Sequence, residues 1–192
     1  MAVSREETQA VLSRIAQRTL AHTPGQTYTV ADRFEERARD RGAHPFLVFE
    51  GRRVSYAETN AAANGVAHAA RDLGLARGDT AGLLMENRPE YVACWAGLAK
   101  LGVTAGLLNP NARGRALAHA LDTIGARVVL AGAECVAALA SLPPEALASR
   151  AVRVVTDPAR PAHSARPPFA RGSGDALAAA PTADPPASQR AG

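Results

Sequence analysis

Lysine is almost missing: Lys100 is the only one in 192 residues, beside twenty-one arginines. The formal charge of +4 is therefore an arginine charge. These arginines are scattered among Asp and Glu and form no basic stripe with interleaved aromatics, which argues against a nucleic-acid partner and for genomic base composition. Cysteine is scarce as well. Cys94 and Cys135 stand apart, without the short spacing of metal ligands, so neither a disulfide scaffold nor a zinc site is expected. No apolar run approaches the roughly 18 residues that a membrane-spanning helix requires, and no secretory signal opens the chain. What these absences leave is a chain read as cytoplasmic, with peripheral contact on the inner face of a membrane as the open addition.

What is present is concentrated between Ala81 and Gly132. Two short apolar runs, Ala81 to Met85 and Val103 to Leu108, lack polar alternation, and Val128 to Ala131 repeats the pattern. Each reads as a strand buried on both faces of a parallel sheet. Between them lie segments of helical period. Pro89 suits a first helical turn, Tyr91, Trp95 and Leu98 recur on one face, and Gly102 is placed to end the helix. Leu117, Ala120, Leu121 and Ile124 give the next stripe, closed by Gly125. Strand and helix alternating at this spacing predict a doubly wound α/β unit.

The flanking segments add further elements. Ser4 to Glu7 has capping-box form and opens a helix over about 5 to 21, with Val11, Leu12, Ile15, Ala16 and Leu20 as an apolar stripe. That stripe reads as a face docked on the domain, the favoured reading because it is modest and lacks a bulky aromatic, or as a membrane contact. Thr29 caps a second helix, with Asp32 at its third position, Phe34 and Ala38 inward and Gly42 at its end. Phe46 to Phe49, Glu50-Gly51 and Arg52 to Val54 predict a tight hairpin. Ser55-Tyr-Ala-Glu58 is another capping box, opening a helix whose small residues Ala62, Val66, Ala69 and Leu73 imply close packing on the sheet. A weak helix follows over 133 to 142, broken by Pro143-Pro144, and Val152 to Thr156 reads as a last strand. Beyond Asp157, seven prolines among Ala, Ser and Arg leave too few large apolar side chains to offset ordering entropy. The division is thus 1–28 helix and linker, 29–156 α/β subdomain, and 157–192 a disordered Pro/Ala-rich linker with one helical turn at Asp175 to Ala180.

Glu86-Asn-Arg-Pro-Glu-Tyr-Val92, Trp95-Ala-Gly-Leu-Ala-Lys-Leu-Gly-Val103 and Leu107-Leu-Asn-Pro-Asn-Ala-Arg113 resemble the fatty acid transport protein and very-long-chain acyl-CoA synthetase branch of the adenylate-forming enzymes. Val54 to Asn60 is similar to the first conserved core of that superfamily, and Leu98 to Pro110 to the second. The resemblance implies an α/β N-terminal subdomain with a mostly parallel sheet flanked by helices. It also implies a two-step reaction in the full-length enzyme: a fatty acid carboxylate attacks ATP to give an acyl-adenylate, and coenzyme A then displaces AMP, with Mg2+ and N–H donors stabilising charge on phosphorus.

None of the motifs that the resemblance assigns to this chemistry is in the sequence. There is no Ser/Thr/Gly-rich loop ending in lysine, and Lys100 lies within a helix rather than after a glycine turn. Gly172-Ser-Gly174 follows no strand. His44, His68, His119 and His163 are far apart, and His68 and His119 read as surface or boundary residues. No catalytic, cofactor-binding or metal-binding residue is assigned, and ATP, Mg2+ and coenzyme A are not expected to bind this chain tightly. Asn87, Arg88 and Asn109, at the ends of the first two buried strands, are binding candidates by position, against a reading as turn and cap residues. Tyr56 and Trp95 read as packing residues. The expectation is an N-terminal segment of a synthetase that needs the remainder of the enzyme. A stand-alone α/β binding or interaction module is the open alternative, and a flavodoxin-like protein is disfavoured because no phosphate loop follows a strand.

Overall fold

A computed structural model describes residues 4–20, 27–155 and 183–184. The elements are α1 (Arg5–Leu20), α2 (Val30–Arg41), β1 (Pro45–Phe49), β2 (Arg52–Ser55), α3 (Tyr56–Asp72), β3 (Thr80–Leu84), α4 (Pro89–Lys100), β4 (Thr104–Leu107), α5 (Gly114–Thr123), β5 (Val128–Gly132), a 3-10 turn at Ala133–Cys135, α6 (Val136–Ala140), α7 (Pro144–Ala148) and β6 (Ala151–Val155). Readings that fall on 156–182 and 185–192, among them the Gly172–Gly174 pair and the helical turn at Asp175, lie outside the described residues.

Four strands form one parallel sheet in the order β4-β3-β5-β6. Because alternate residues of a strand point to opposite faces, each strand feeds two cores. Ala81, Leu83, Met85, Val128 and Leu130 pack with Val66, Ala67 and Ala70 of α3 and Cys94 and Leu98 of α4. Leu84, Val129, Ala131 and Val152 pack with Leu117 and Leu121 of α5 and with α6 and α7 on the other side. A fully buried leucine contributes roughly 1.5–3 kcal/mol, well above the few tenths that helix propensity separates among ordinary residues. Packing on the sheet therefore decides where these helices lie.

Local chemistry sets the element ends. Ser4 and Glu7, Thr29 and Asp32, and Ser55 and Glu58 each exchange the two hydrogen bonds of a capping box. β1 and β2 form a separate antiparallel hairpin in which Phe49 pairs with Arg52. Glu50 and Gly51 both have positive φ, 49° and 78°, as the two-residue turn demands. Phe34, Phe46 and Tyr56 stack with ring centroids 4.6–6.1 Å apart and join α2, the hairpin and α3. Pro143-Pro144 does more than break a helix: Pro144 occupies the first turn of α7.

Four expectations are corrected. Strand β4 is not buried on both faces; it is the sheet edge, and Leu107 is 59% exposed. Trp95 is 37% exposed, because Tyr91, Cys94, Leu98 and Leu101 form the inward stripe of α4. Ala62 is exposed, and the buried arc of α3 runs through Ala63–Ala70, wider than a single stripe because the helix packs on α4 as well as the sheet. Finally, Val11, Leu12 and Ile15 are exposed, so the apolar stripe of α1 is not buried as a docked face would be.

Gly97 marks where α3 and α4 come closest. A Cβ there would lie 2.5 Å from the Ala63 carbonyl oxygen and 2.7 Å from Val66 Cβ, whereas a Cβ on Gly106 would meet chiefly the terminal methyl of Ile124. Gly97→Ala must therefore push backbone, and it is expected to cost about 1–3 kcal/mol. Gly106→Ala costs less because the Ile124 side chain can rotate. Urea midpoints of the two variants, at unchanged m, check the ranking.

Candidate functional site

The chain leaves β3 for β4 on one side and returns to β5 on the other, so the strand order reverses between β3 and β5. Ligands of open α/β sheets bind outside the C-terminal strand ends at such a point. Here three segments converge: Glu86–Pro89 after β3, the turn containing Glu134 after β5, and Val155 at the end of β6.

Arg88 fills this place. Its side chain is 10% exposed. Nη2 donates to the Val155 carbonyl at 3.0 Å and lies 3.4 Å from Glu134 Oε2, while Nη1 stands 3.9 Å from Glu90 Oε2. Glu134 Oε1 in turn accepts from the Glu86 amide at 3.0 Å. Asn109 and Asn87 are exposed, and Asn109 Oδ1 accepts from the Asn111 amide at 2.9 Å, an Asx turn. Among the described residues no hydrogen bond joins Asn87, Arg88 and Asn109.

A nucleotide triphosphate with its magnesium does not fit these groups. The guanidinium that could meet a phosphate is already shared by two carboxylates and a carbonyl. Pro89 removes a donor from the first turn of α4, and Glu90 and Glu134 oppose an anion there. Among the described residues no three carboxylate, histidine or cysteine side chains converge on a metal position. The thiols are no nucleophiles either. Burial pushes Cys94 up to about 12 and Cys135 up to about 11, leaving both protonated and inert.

A second polar cluster lies between α2, α3 and α4. The Lys100 side chain is wholly buried and donates to Glu35 Oε1 and, at 3.0 Å, to Asp184 Oδ1. That same oxygen accepts from Asn64 Nδ2 at 2.9 Å and Asn60 Nδ2 at 3.1 Å. His68, read as a surface or boundary residue, lies on the buried side of that boundary. Arg71 Nη2 lies 3.0 Å from its Nδ1, and since a guanidinium only donates, the ring proton is on Nε2, which donates to the Ala183 carbonyl at 2.9 Å. Burial opposes ionisation of Asp184, but hydrogen bonds from Lys100, Asn64 and Asn60 outweigh it and hold the carboxyl below the ordinary aspartate range. No local pattern announces this cluster, whose hydrogen-bonded partners lie 65 to 124 residues apart except within α3. The one available signal is a solitary lysine inside an otherwise apolar helical stretch. His44 and His119 are exposed and join neither cluster.

Residues 34–189 match the AMP-binding enzyme family. The chain belongs to that family. Long-chain fatty acid transport protein 2 of Rattus norvegicus is 42% identical over 107 residues, 55% of this chain and 17% of that protein. The medium/long-chain-fatty-acid–CoA ligase FadD6 of Mycobacterium tuberculosis is 33% identical over 130 residues, 68% of this chain and 22% of the ligase. Among solved structures, the anthranilate CoA ligase AuaEII in complex with anthranoyl-AMP superposes with a TM-score of 0.69 at 23% identity, covering 81% of this chain and 29% of that one. The N-terminal domain of FACL13 from Mycobacterium tuberculosis gives 0.64 at 24% identity, covering 82% and 38%. The chain thus spans about a fifth of the length of the two curated relatives. These likenesses establish the fold as that of an N-terminal part of such enzymes.

Two measurements probe the clusters. Arg88→Ala removes a charged hydrogen bond from the end of β6, and it is expected to cost about 1.5–3 kcal/mol and to raise amide exchange in Ala151–Val155 above that of β3. For Asp184, the unfolded value is about 3.9 and the folded one is lower, so its stabilisation is complete above the former and is lost as pH falls through the latter. Asp184→Asn should therefore melt below the parent at neutral pH, and the gap should close as both are taken below about pH 4.

Proposed function

We propose that this chain is the N-terminal segment of an ATP-dependent long-chain or very-long-chain fatty acyl-CoA synthetase, and that residues 1–192 alone carry no adenylation activity. The observation that supports this reading most is the state of the strand-end crevice: the family's fold is present, but its switch point is filled by Arg88 and ringed by Glu90 and Glu134. The relatives named as fatty acid transport proteins and a fatty acid ligase supply the substrate class. On this reading ATP, Mg2+ and coenzyme A serve the full-length enzyme and are held by residues outside this segment. Asn87 and Asn109 are then the exposed groups of this segment at the strand ends, after β3 and β4, that face that ligand.

Two exposed features fit a segment that works within a larger assembly. The β4 edge with Leu107 offers unpaired backbone and an apolar side chain to the remainder of the synthetase. Among the described residues no helix is long and apolar enough to cross a membrane, and Val11, Leu12 and Ile15 of α1 give a cytoplasmic enzyme its peripheral contact with the inner membrane face. Under the alternative, a stand-alone binding module, both surfaces would need protection in the chain itself.

Purified protein given fatty acid, ATP and magnesium is expected to release no pyrophosphate above a no-lipid control. Release that depends on fatty acid and stops on chelating magnesium overturns the reading. Size-exclusion chromatography with a thermal melt tests the alternative: self-association and a broad melt are expected of the segment, a monodisperse peak and a sharp cooperative melt of a stand-alone module.

A further inference from the structure

Of the two polar clusters, the one around Lys100 is foreign to the strand-end crevice and to any adenylation chemistry. We infer that Lys100, Asn60, Asn64 and His68 form an internal docking site for a carboxylate and its neighbouring carbonyl, and that its occupant is the Ala183–Asp184 segment of this same chain.

The geometry is that of a receptor. Three N–H donors from two helices, Lys100 Nζ at 3.0 Å, Asn64 Nδ2 at 2.9 Å and Asn60 Nδ2 at 3.1 Å, converge on a single oxygen, Asp184 Oδ1. A fourth donor, His68 Nε2, takes the adjacent Ala183 carbonyl at 2.9 Å. Two successive acceptors of one short segment are thus read by residues 60, 64 and 68, which stand one helical turn apart along α3. Lys100 itself is wholly buried, and Glu35, whose side chain is 8% exposed, anchors the ammonium from α2. With Glu35 holding one side of Nζ, the remaining donor capacity points at Asp184.

The identity of the cation supports a specific fit. Among the lysine and arginine positions of the protein every other one is arginine, so composition alone would place arginine here too. A guanidinium is planar and wide, whereas an ammonium on a narrow stem can pass between α3 and α4 where Gly97 brings them together. The docked segment lies 84 residues from Lys100 and inside the stretch that matches the family. The assignment stands whether or not the synthetase reading of the preceding section holds.

One lysine allows a direct test. The full 192-residue protein labelled with 15N at lysine Nζ gives a single side-chain ammonium line, whose shift and proton-exchange rate report the Lys100 site. Asp184 is two-fifths exposed, so Asp184→Ala leaves the core intact. It is expected to move the line and to speed exchange at least about tenfold, the factor for losing one charge-assisted hydrogen bond. The shallow pocket of about 310 Å³ lined by Glu35, Arg39, Ala57, Asn60 and Asp184 gives small anions a way in. Acetate added to the variant should slow the exchange again, and chloride at equal ionic strength should not. A line unchanged by Asp184→Ala, or an equal response to acetate and chloride, overturns the assignment.

Discussion

At Gly97 the backbone of α4 approaches α3 so closely that a single methyl group would strike the Ala63 carbonyl, and much of the remaining architecture follows from that approach. It narrows the space between the helices until only small side chains, Ala63, Val66, Ala67 and Ala70, can line it. It also sets both helices against the same face of the sheet, where Cys94, Leu98 and Leu101 complete the core begun by α3. One turn further along α4, the same inter-helix seam receives Lys100, which reaches Glu35 on α2. A third helix is thereby tied to α4 by charge.

The two ionic clusters differ in what they leave for a ligand. Around Arg88, one cation is divided between two carboxylates and the end of a strand, with a single hydrogen bond, to the Val155 carbonyl, closing the sheet. Around Lys100, a buried cation and two carboxamides converge on one oxygen. Taking a lysine out of water costs several kcal/mol before any partner is found, which only well-placed carboxylates offset. The first cluster is a brace, and the second has the form of a binding site occupied from within.

Legibility followed the range of the interaction. The three capping boxes, the Glu50-Gly51 turn and the inward stripe of α5 depend on residues within a few positions, and each was readable from spacing alone. The α4 stripe was misread at Trp95 because periodicity gives the width of a buried arc without its direction. β4 looked like an interior strand because Val103 and Leu108, just outside it, are the buried residues, while the strand itself runs along an edge that only the sheet order reveals. Arg88 was singled out by its place after a strand, but its partners Glu134 and Val155 lie 46 and 67 residues on. Nothing local to Lys100 named Glu35 or Asp184.

The same distinction explains why family and chemistry part company in this chain. A family is recognised from the packing of strands and helices, and β3, α4 and β4 carry that pattern in full. Adenylate chemistry needs donors free to meet charge as it develops on phosphorus. At the switch point the Arg88 guanidinium is held by the Val155 carbonyl and paired with Glu134, and Pro89 withholds one amide from the helix N-terminus that a phosphate would use. A sheet whose strand ends are braced in this way is rigid support. Under the proposed function, its contribution to a reaction lies in fixing where neighbouring elements stand, with the reacting groups supplied by the remainder of the synthetase.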